Sequence, residues 1–267
     1  MISEAFTWLT TSAPRWARKA GYLQELIAIR ARYRRQRANW ASHLDASQAV
    51  IRDAIAMCPK RRQVLVYGSG LLLDIPLKEL AAAFEAVTLI DAAHLRETWK
   101  IARNLGNVHC VETDIAGVTA SLLTETIPDE SNFPPPNPPE VYNERPVDLV
   151  ISANLLTPLT ETPLQFLRRR GDFTEDTLNI FAQTIMMAHL DHLASFDAVC
   201  CLIVETEIRF LAANGTVERV ESPLRGIPLP PADRTWFWEI ARRGEVSPSH
   251  AIRNRVAAVT TTRLRTD

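Results

Sequence analysis

Apolar runs of strand length that alternate with helical patterns constrain this chain more than any other feature. Gln63–Tyr67 stops at Gly68-Ser69-Gly70, Ala86–Ile90 at Asp91, Val108–Glu112 at Thr113-Asp114, and Val147–Ser152 at Ala153-Asn154. A fifth run, Ala198–Val204, continues through Glu205, Glu207 and Arg209. Helical patterns lie over Pro76–Phe84, Leu95–Asn104 and Asp176–Leu193. Short apolar strands with helices between them are buried on both faces and pair in parallel. A turn signal at Asn214-Gly215, an extended run at Thr216–Glu221 and a β-branched run from His250 to Arg263 add antiparallel strands at the C-terminal end. The expected fold is α/β: a doubly wound, mostly parallel seven-stranded sheet with an antiparallel C-terminal hairpin and an N-terminal helical extension.

The extension is residues 1–58. Tyr22, Leu23, Leu26, Ile27 and Ile29 form an apolar stripe among arginines, and the pattern stops at Cys58-Pro59, where proline ends a helix. Residues 1–40 hold eight basic side chains against Glu4 and Glu25, while the whole chain has a formal net charge of −1. A helical cap at 1–58 and a sheet domain at 59–267 are therefore expected. A proline-rich insertion at 127–147 carries Pro128, Pro134, Pro135, Pro136, Pro138, Pro139 and Pro146, and reads as an exposed loop. Residues 157–173 read as a polar, proline-interrupted connection.

A hydrophobic share of 46% and a charged share of 23% match a globular protein and exclude a disordered or collagen-like one. No run reaches the roughly 18 apolar residues of a membrane helix. Four cysteines, two of them adjacent at Cys200-Cys201 in an apolar run, do not form a disulfide framework. A cytoplasmic protein is expected.

Three strand ends carry the chemistry. Glycines at Gly68 and Gly70 let the backbone turn tightly and approach a ligand. Asp91 lies 23 residues after Gly68, the place and approximate spacing of a carboxylate that accepts from ribose hydroxyls. Asp114 ends the third strand. Carboxyl ends of parallel strands are where open α/β sheets bind ligands.

These residues carry a resemblance. Val64–Gly70, Leu89-Ile90-Asp91, Glu112-Thr113-Asp114 and Asp148–Asn154 are similar to motifs one to four of the class I S-adenosylmethionine-dependent methyltransferases, over roughly residues 60–265. The resemblance implies S-adenosylmethionine as cofactor and S-adenosylhomocysteine as product. It implies a cofactor site of Gly68, Ser69, Gly70, Asp91, Ala92, Asp114, Ile115 and Asn154. Gly68 and Gly70 would pass under the methionine part, Asp91 would hold the ribose, Asp114 with Ile115 the adenine, and Asn154 would sit beside the methyl group. The family's acidic residue two positions before the first glycine is Val66 here, and its third loop glycine is Leu72; Asp74 is a candidate to replace the missing charge.

No catalytic residue stands out; Asn154, Glu205 and Glu207 are the candidates, the two glutamates sharing a strand face by their spacing. His189, Asp191 and His192 read as exposed helix residues, without the further ligands of a metal site. Trp236-Phe237-Trp238 reads as a hydrophobic anchor, with a substrate wall as the alternative. No Pro-Pro-aromatic pattern follows Asn154, which argues against a nucleobase, so a small-molecule acceptor is expected. The rival reading is a non-catalytic methyltransferase-fold module with a protein partner, and a homodimer stays open. A nicotinamide-dependent oxidoreductase is disfavoured because Leu73 occupies the last glycine or alanine position of that fingerprint.

Overall fold

The computed structural model describes residues 2–123, 133–141, 145–262 and 264. Three helices open the chain: α1 (Ile2–Thr10), α2 (Arg15–Ala20) and the 36-residue α3 (Tyr22–Met57). Then come β1 (Gln63–Tyr67), α4 (Leu77–Ala83), β2 (Ala86–Asp91), α5 (Arg96–Leu105), β3 (Val108–Glu112) and the short α6 (Thr119–Leu122). After the proline-rich segment follow β4 (Val147–Ala153), α7 (Leu156–Arg170), α8 (Glu175–Ala194), β5 (Val199–Leu211), β6 (Val217–Glu221), β7 (Arg234–Ala241) and β8 (Ala251–Thr261). The strand order is β3-β2-β1-β4-β5-β8-β7, with β6 paired to β5 off that path. The first five strands pair in parallel, while β8 runs antiparallel between β5 and β7, so that β7 points the same way as the first five.

Alternation along each strand builds two cores. Leu65, Tyr67, Ile90, Val150, Leu202 and Val204 face α7 and α8. Val64, Val66, Leu89, Ile151, Cys201 and Ile203 face α4 and the C-terminal half of α3. Successive strand residues point to opposite faces, so Cys200 and Cys201 enter different cores, both as free thiols. Each wholly buried Leu or Ile contributes about 1.5–3 kcal/mol.

The structure corrects three expectations. The sheet has eight strands. The thirteen-residue β5 offers one edge to β4 over residues 199–203 and then to β6 over residues 208–211, while β8 runs along the other edge. The aromatic run at 236–238 is part of strand β7. Residues 156–170 form helix α7 rather than an irregular connection. Pro158 sits in its first turn, where a missing N–H breaks no helical bond. Pro163 lies inside, where proline costs about 3 kcal/mol. Leu156, Leu159, Leu164 and Leu167 bury one stripe of this helix, and that burial outweighs the cost. His189 and His192 are not exposed: His189 is fully buried with Nε2 3.0 Å from the Ser152 hydroxyl, and His192 Nε2 lies 2.7 Å from the Tyr67 hydroxyl. They tie α8 to β4 and β1.

Of the expected proline-rich insertion, residues 127–132 and 142–144 lie outside the described residues. Residues 133–141 run past Gly117, whose φ is +67°. A β-carbon at Gly117 would overlap the Asn137 backbone carbonyl. Gly117→Ala is expected to cost about 2–3 kcal/mol through overpacking and a strained φ. Chemical denaturation measures this; a loss below about 0.5 kcal/mol would mean the 133–141 segment does not rest there. Among the described residues no helix is long and apolar enough to cross a membrane.

Candidate functional site

Strands β1, β2, β3 and β4 end side by side, and their connections form the site. Gly68 and Gly70 take φ of +71° and +50°, which glycine reaches at no steric cost. A β-carbon at Gly68 would sit 2.9 Å from the Leu155 side chain, so that position must stay bare. Leu72, at the expected third glycine, also takes a left-handed φ of 59°. The loop thus keeps a glycine-like path at a cost of roughly 1–2 kcal/mol. Val66 is wholly buried in the core and supplies no charge.

Asp91 closes this turn. Its Oδ2 accepts from the Gly70 N–H at 2.7 Å and its Oδ1 from the Ala92 N–H at 2.7 Å. A carboxylate has about four acceptor positions, so each oxygen retains capacity for a ligand hydroxyl. Burial raises its pKa to about 6, against the pull of the Gly70, Ala92 and Ala93 amides, with Glu112 adding to the rise. Asp114 accepts from the Thr119 N–H at 2.6 Å through Oδ2, while its buried Oδ1 has no partner among the described residues. Ile115 lies beside it, 5% exposed. Asp91, Ala92, Asp114, Ile115 and Asn154 line one cavity of about 140 Å³, roofed by Tyr22, Leu26 and Ile29 of α3. The Tyr22 hydroxyl lies 3.1 Å from that of Thr119 and fastens the roof.

Asn154 stands at φ +52°, rare for a residue with a side chain. Its N–H donates to the Ile203 carbonyl at 2.7 Å and its Nδ2 to Asp74 Oδ2 at 2.7 Å, while its Oδ1 is buried without a partner. Burial raises the Asp74 pKa, and the Asn154 bond opposes the rise. Asn154, Gly68, Gly70, Glu25 and Pro158 line both the first cavity and a second of about 400 Å³. The second chamber is walled by Trp40, His43, Asp74, Glu205, Trp238 and Asn254. His43 stacks on Trp238 with centroids 4.0 Å apart, Trp238 meets Trp40 edge-on at 4.9 Å, and Trp236 Nε1 donates to His43 Nδ1 at 3.0 Å. Burial lowers the His43 pKa to about 3, so the ring is neutral. Trp236 and Trp238 thus both anchor α3 and wall a cavity.

The structure brings together all the sequence-predicted residues Gly68, Ser69, Gly70, Asp91, Ala92, Asp114, Ile115 and Asn154 around these two cavities, with Ser69 facing the second. It separates Glu205 from Glu207. A bulge lies between them, so Glu205 pairs with Val256 and Glu207 with Arg255. Adjacent residues of β8 face opposite ways. Glu205 therefore turns into the chamber, 6% exposed, while Glu207 pairs with Arg209 and Arg255. Trp40, His43 and Asn254 were not expected. Their only sequence signals are an aromatic pair at i, i+3 in an arginine-rich helix and one amide in an apolar strand. A wider, open groove of about 960 Å³ between α1, α3 and α5 holds none of the predicted site residues.

The strand order is that of an open, mostly parallel α/β sheet with an antiparallel end. No protein-family model and no curated protein matches the chain. Solved structures similar to it include the DhpI–SAM–HEP complex, at 12% identity over 93% of this chain and 100% of that one, TM-score 0.38. The DhpI–SAH complex matches at 14% identity over 88% and 94%, TM-score 0.36. A 1,6-didemethyltoxoflavin-N1-methyltransferase of Burkholderia thailandensis matches at 15% identity over 89% and 90%, TM-score 0.38. At these identities and scores they carry nothing about what this chain binds.

Proposed function

We propose that the chain is an S-adenosylmethionine-dependent methyltransferase acting on a small molecule, with residues 1–58 as a cap over a sheet domain of residues 59–267. The observation that carries this is the convergence of half-buried, ligand-ready carboxylates on a small cavity that shares Asn154 and the Gly68–Gly70 loop with a second chamber. The residues fit the cofactor. Asp91 has acceptor capacity for a ribose diol, and the orphaned Asp114 Oδ1 faces the same cavity and suits an adenine amino group. Asp74, not Val66, would meet the methionine ammonium, next to the Gly68–Gly70 loop. Bound there, the cofactor supplies a methyl group on a sulfonium. The chain's own part is to orient donor and acceptor and to keep water out; positioning alone lowers such a barrier greatly. Tyr22, Leu26 and Ile29 of α3 cover the junction.

Calorimetric titration with S-adenosylhomocysteine tests the reading; no binding at about millimolar ligand, roughly −4 kcal/mol, would end it. Affinity should also depend on pH. Ribose hydroxyls donate to the ionised Asp91 carboxylate, so they favour its charged form. Binding should tighten as pH rises through about 6 and level off above it. A flat profile between pH 5 and 7 would remove Asp91 from the site.

Val66 favours a second reading, a non-catalytic module of the same fold. It predicts that Asp91→Ala leaves the biological activity intact.

A further inference from the structure

The 400 Å³ chamber has a one-sided chemistry. Glu25, Glu161 and Glu205 line it, beside the Asp74 already assigned to the methionine ammonium, against a single cation, Arg32. Its apolar wall includes Trp40, His43 and Trp238, which pack on one another. Charge count alone would decide nothing, but buried polar atoms without partners gather here. Glu205 Oε2, Asn154 Oδ1 and Asn254 Oδ1 are acceptors in this wall without a hydrogen-bond partner among the described residues, as are the Thr157 hydroxyl, which stands beside Glu205, and Trp238 Nε1. Glu205 is 6% and Asn254 5% exposed. A buried polar group without a partner costs about 1–3 kcal/mol, so these atoms around one space mark the place of a polar ligand, and the carboxylates beside them favour one that donates.

We propose that this chamber takes a small amine as methyl acceptor and that Glu205 removes the proton from its nitrogen. The proposal rests on the methyltransferase reading. The acceptor enters as an ammonium and gives one proton to the Glu205 carboxylate. The freed lone pair then forms the N–C bond to the methyl group of the sulfonium donor. The electron pair of the broken C–S bond stays on sulfur, the N-methylammonium product leaves, and Glu205 returns its proton to water. Asn154 Oδ1 and Asn254 Oδ1 accept the remaining N–H groups. Burial raises the Glu205 pKa to about 7, with Asp74 adding to the rise, so the carboxyl exchanges protons at neutral pH. The groups around it are Asp74 from the loop after β1, Glu161 and Thr157 from α7, Glu25, Arg32 and the neutral His43 from α3, and the uncharged Asn254 of β8.

The test is binding to the whole chain, with and without S-adenosylhomocysteine, of benzylamine, phenethylamine and tryptamine. Each is matched with the alcohol and the carboxylate of the same skeleton. The amines should bind at least about tenfold tighter than the alcohols, and the carboxylates not at all. Amine binding should tighten as pH rises through about 7, as Glu205 ionises. Glu205→Gln, which keeps shape and removes the charge, should lose about tenfold in amine affinity and the pH dependence, with S-adenosylhomocysteine binding unchanged. Glu205→Asp should restore part of both. Amines that fail to bind at about 10 mM, or that bind no better than the alcohols, overturn the proposal. So does a Glu205→Gln variant with unchanged amine affinity. If S-adenosylhomocysteine binds while the amines fail, only this inference falls. If it does not bind, the methyltransferase reading falls.

Discussion

Replacing Asp91 by alanine should abolish measurable binding of S-adenosylhomocysteine, a loss of about 100-fold or more. The carboxylate sits at the end of β2, partly buried, and each oxygen already holds one backbone N–H, from Gly70 and from Ala92. Its remaining acceptor positions suit the two hydroxyls of a ribose. Hydrogen bonds to a charged group contribute about 1.5–3 kcal/mol each, so two lost bonds amount to two to four powers of ten in affinity. The substitution also leaves the Gly70 N–H without its acceptor, which loosens the loop that carries Gly68. Stability should change much less than binding, because removing a carboxyl whose pKa is already raised relieves its desolvation. Calorimetry on the wild type and variant, with a melting curve as control, separates the two effects. Equal affinity in both proteins would show that the ligand does not use this strand end.

Trp238→Ala should give the largest loss of stability, about 3–5 kcal/mol, the usual range for a buried tryptophan. Trp238 is 8% exposed and lies between His43 and Trp40, both on α3. Trp40 Nε1 donates to the Ile240 carbonyl at 3.0 Å, and Trp236 Nε1 holds His43 from the same strand. Removing the central ring opens a gap that neither neighbour can fill, and frees α3 from β7. Denaturant unfolding measures the effect, and Trp238→Phe should recover part of it. A loss below about 1 kcal/mol would mean that the α3–β7 contact does not hold the cap in place. The same variant should weaken binding of aromatic amines, because the ring walls their chamber.

The two arguments draw on different levels of the molecule. The place of Asp91 was legible because it follows from a local rule: a carboxylate at the end of the second strand meets what the first turn presents. The same holds for Gly68, Gly70 and Asp114. Glu205 was legible as a candidate and misplaced relative to Glu207, because spacing predicts a shared face and a bulge removes it. Helix α7 was hidden by Pro158 and Pro163, and the local cost of Pro163 is offset by leucines that find their partners only when the sheet and α8 are in place. His189 and His192 read as surface residues because nothing nearby in sequence announces Ser152 and Tyr67 as their partners.

The sequence by itself determined the alternation of strands and helices, the two faces of the sheet and the carboxylates at the strand ends. Those features depend on residue period and on neighbours a few positions away. Only the tertiary structure decided the eighth strand, the turn of Glu205 into the chamber and the use of Trp40 and His43 as its wall. The last two join residues about 50 to 200 positions apart, as Glu205 with Val256 and His43 with Trp236. Pairings at that range form because burying the whole surface outweighs local preference, and no short window of sequence records that balance.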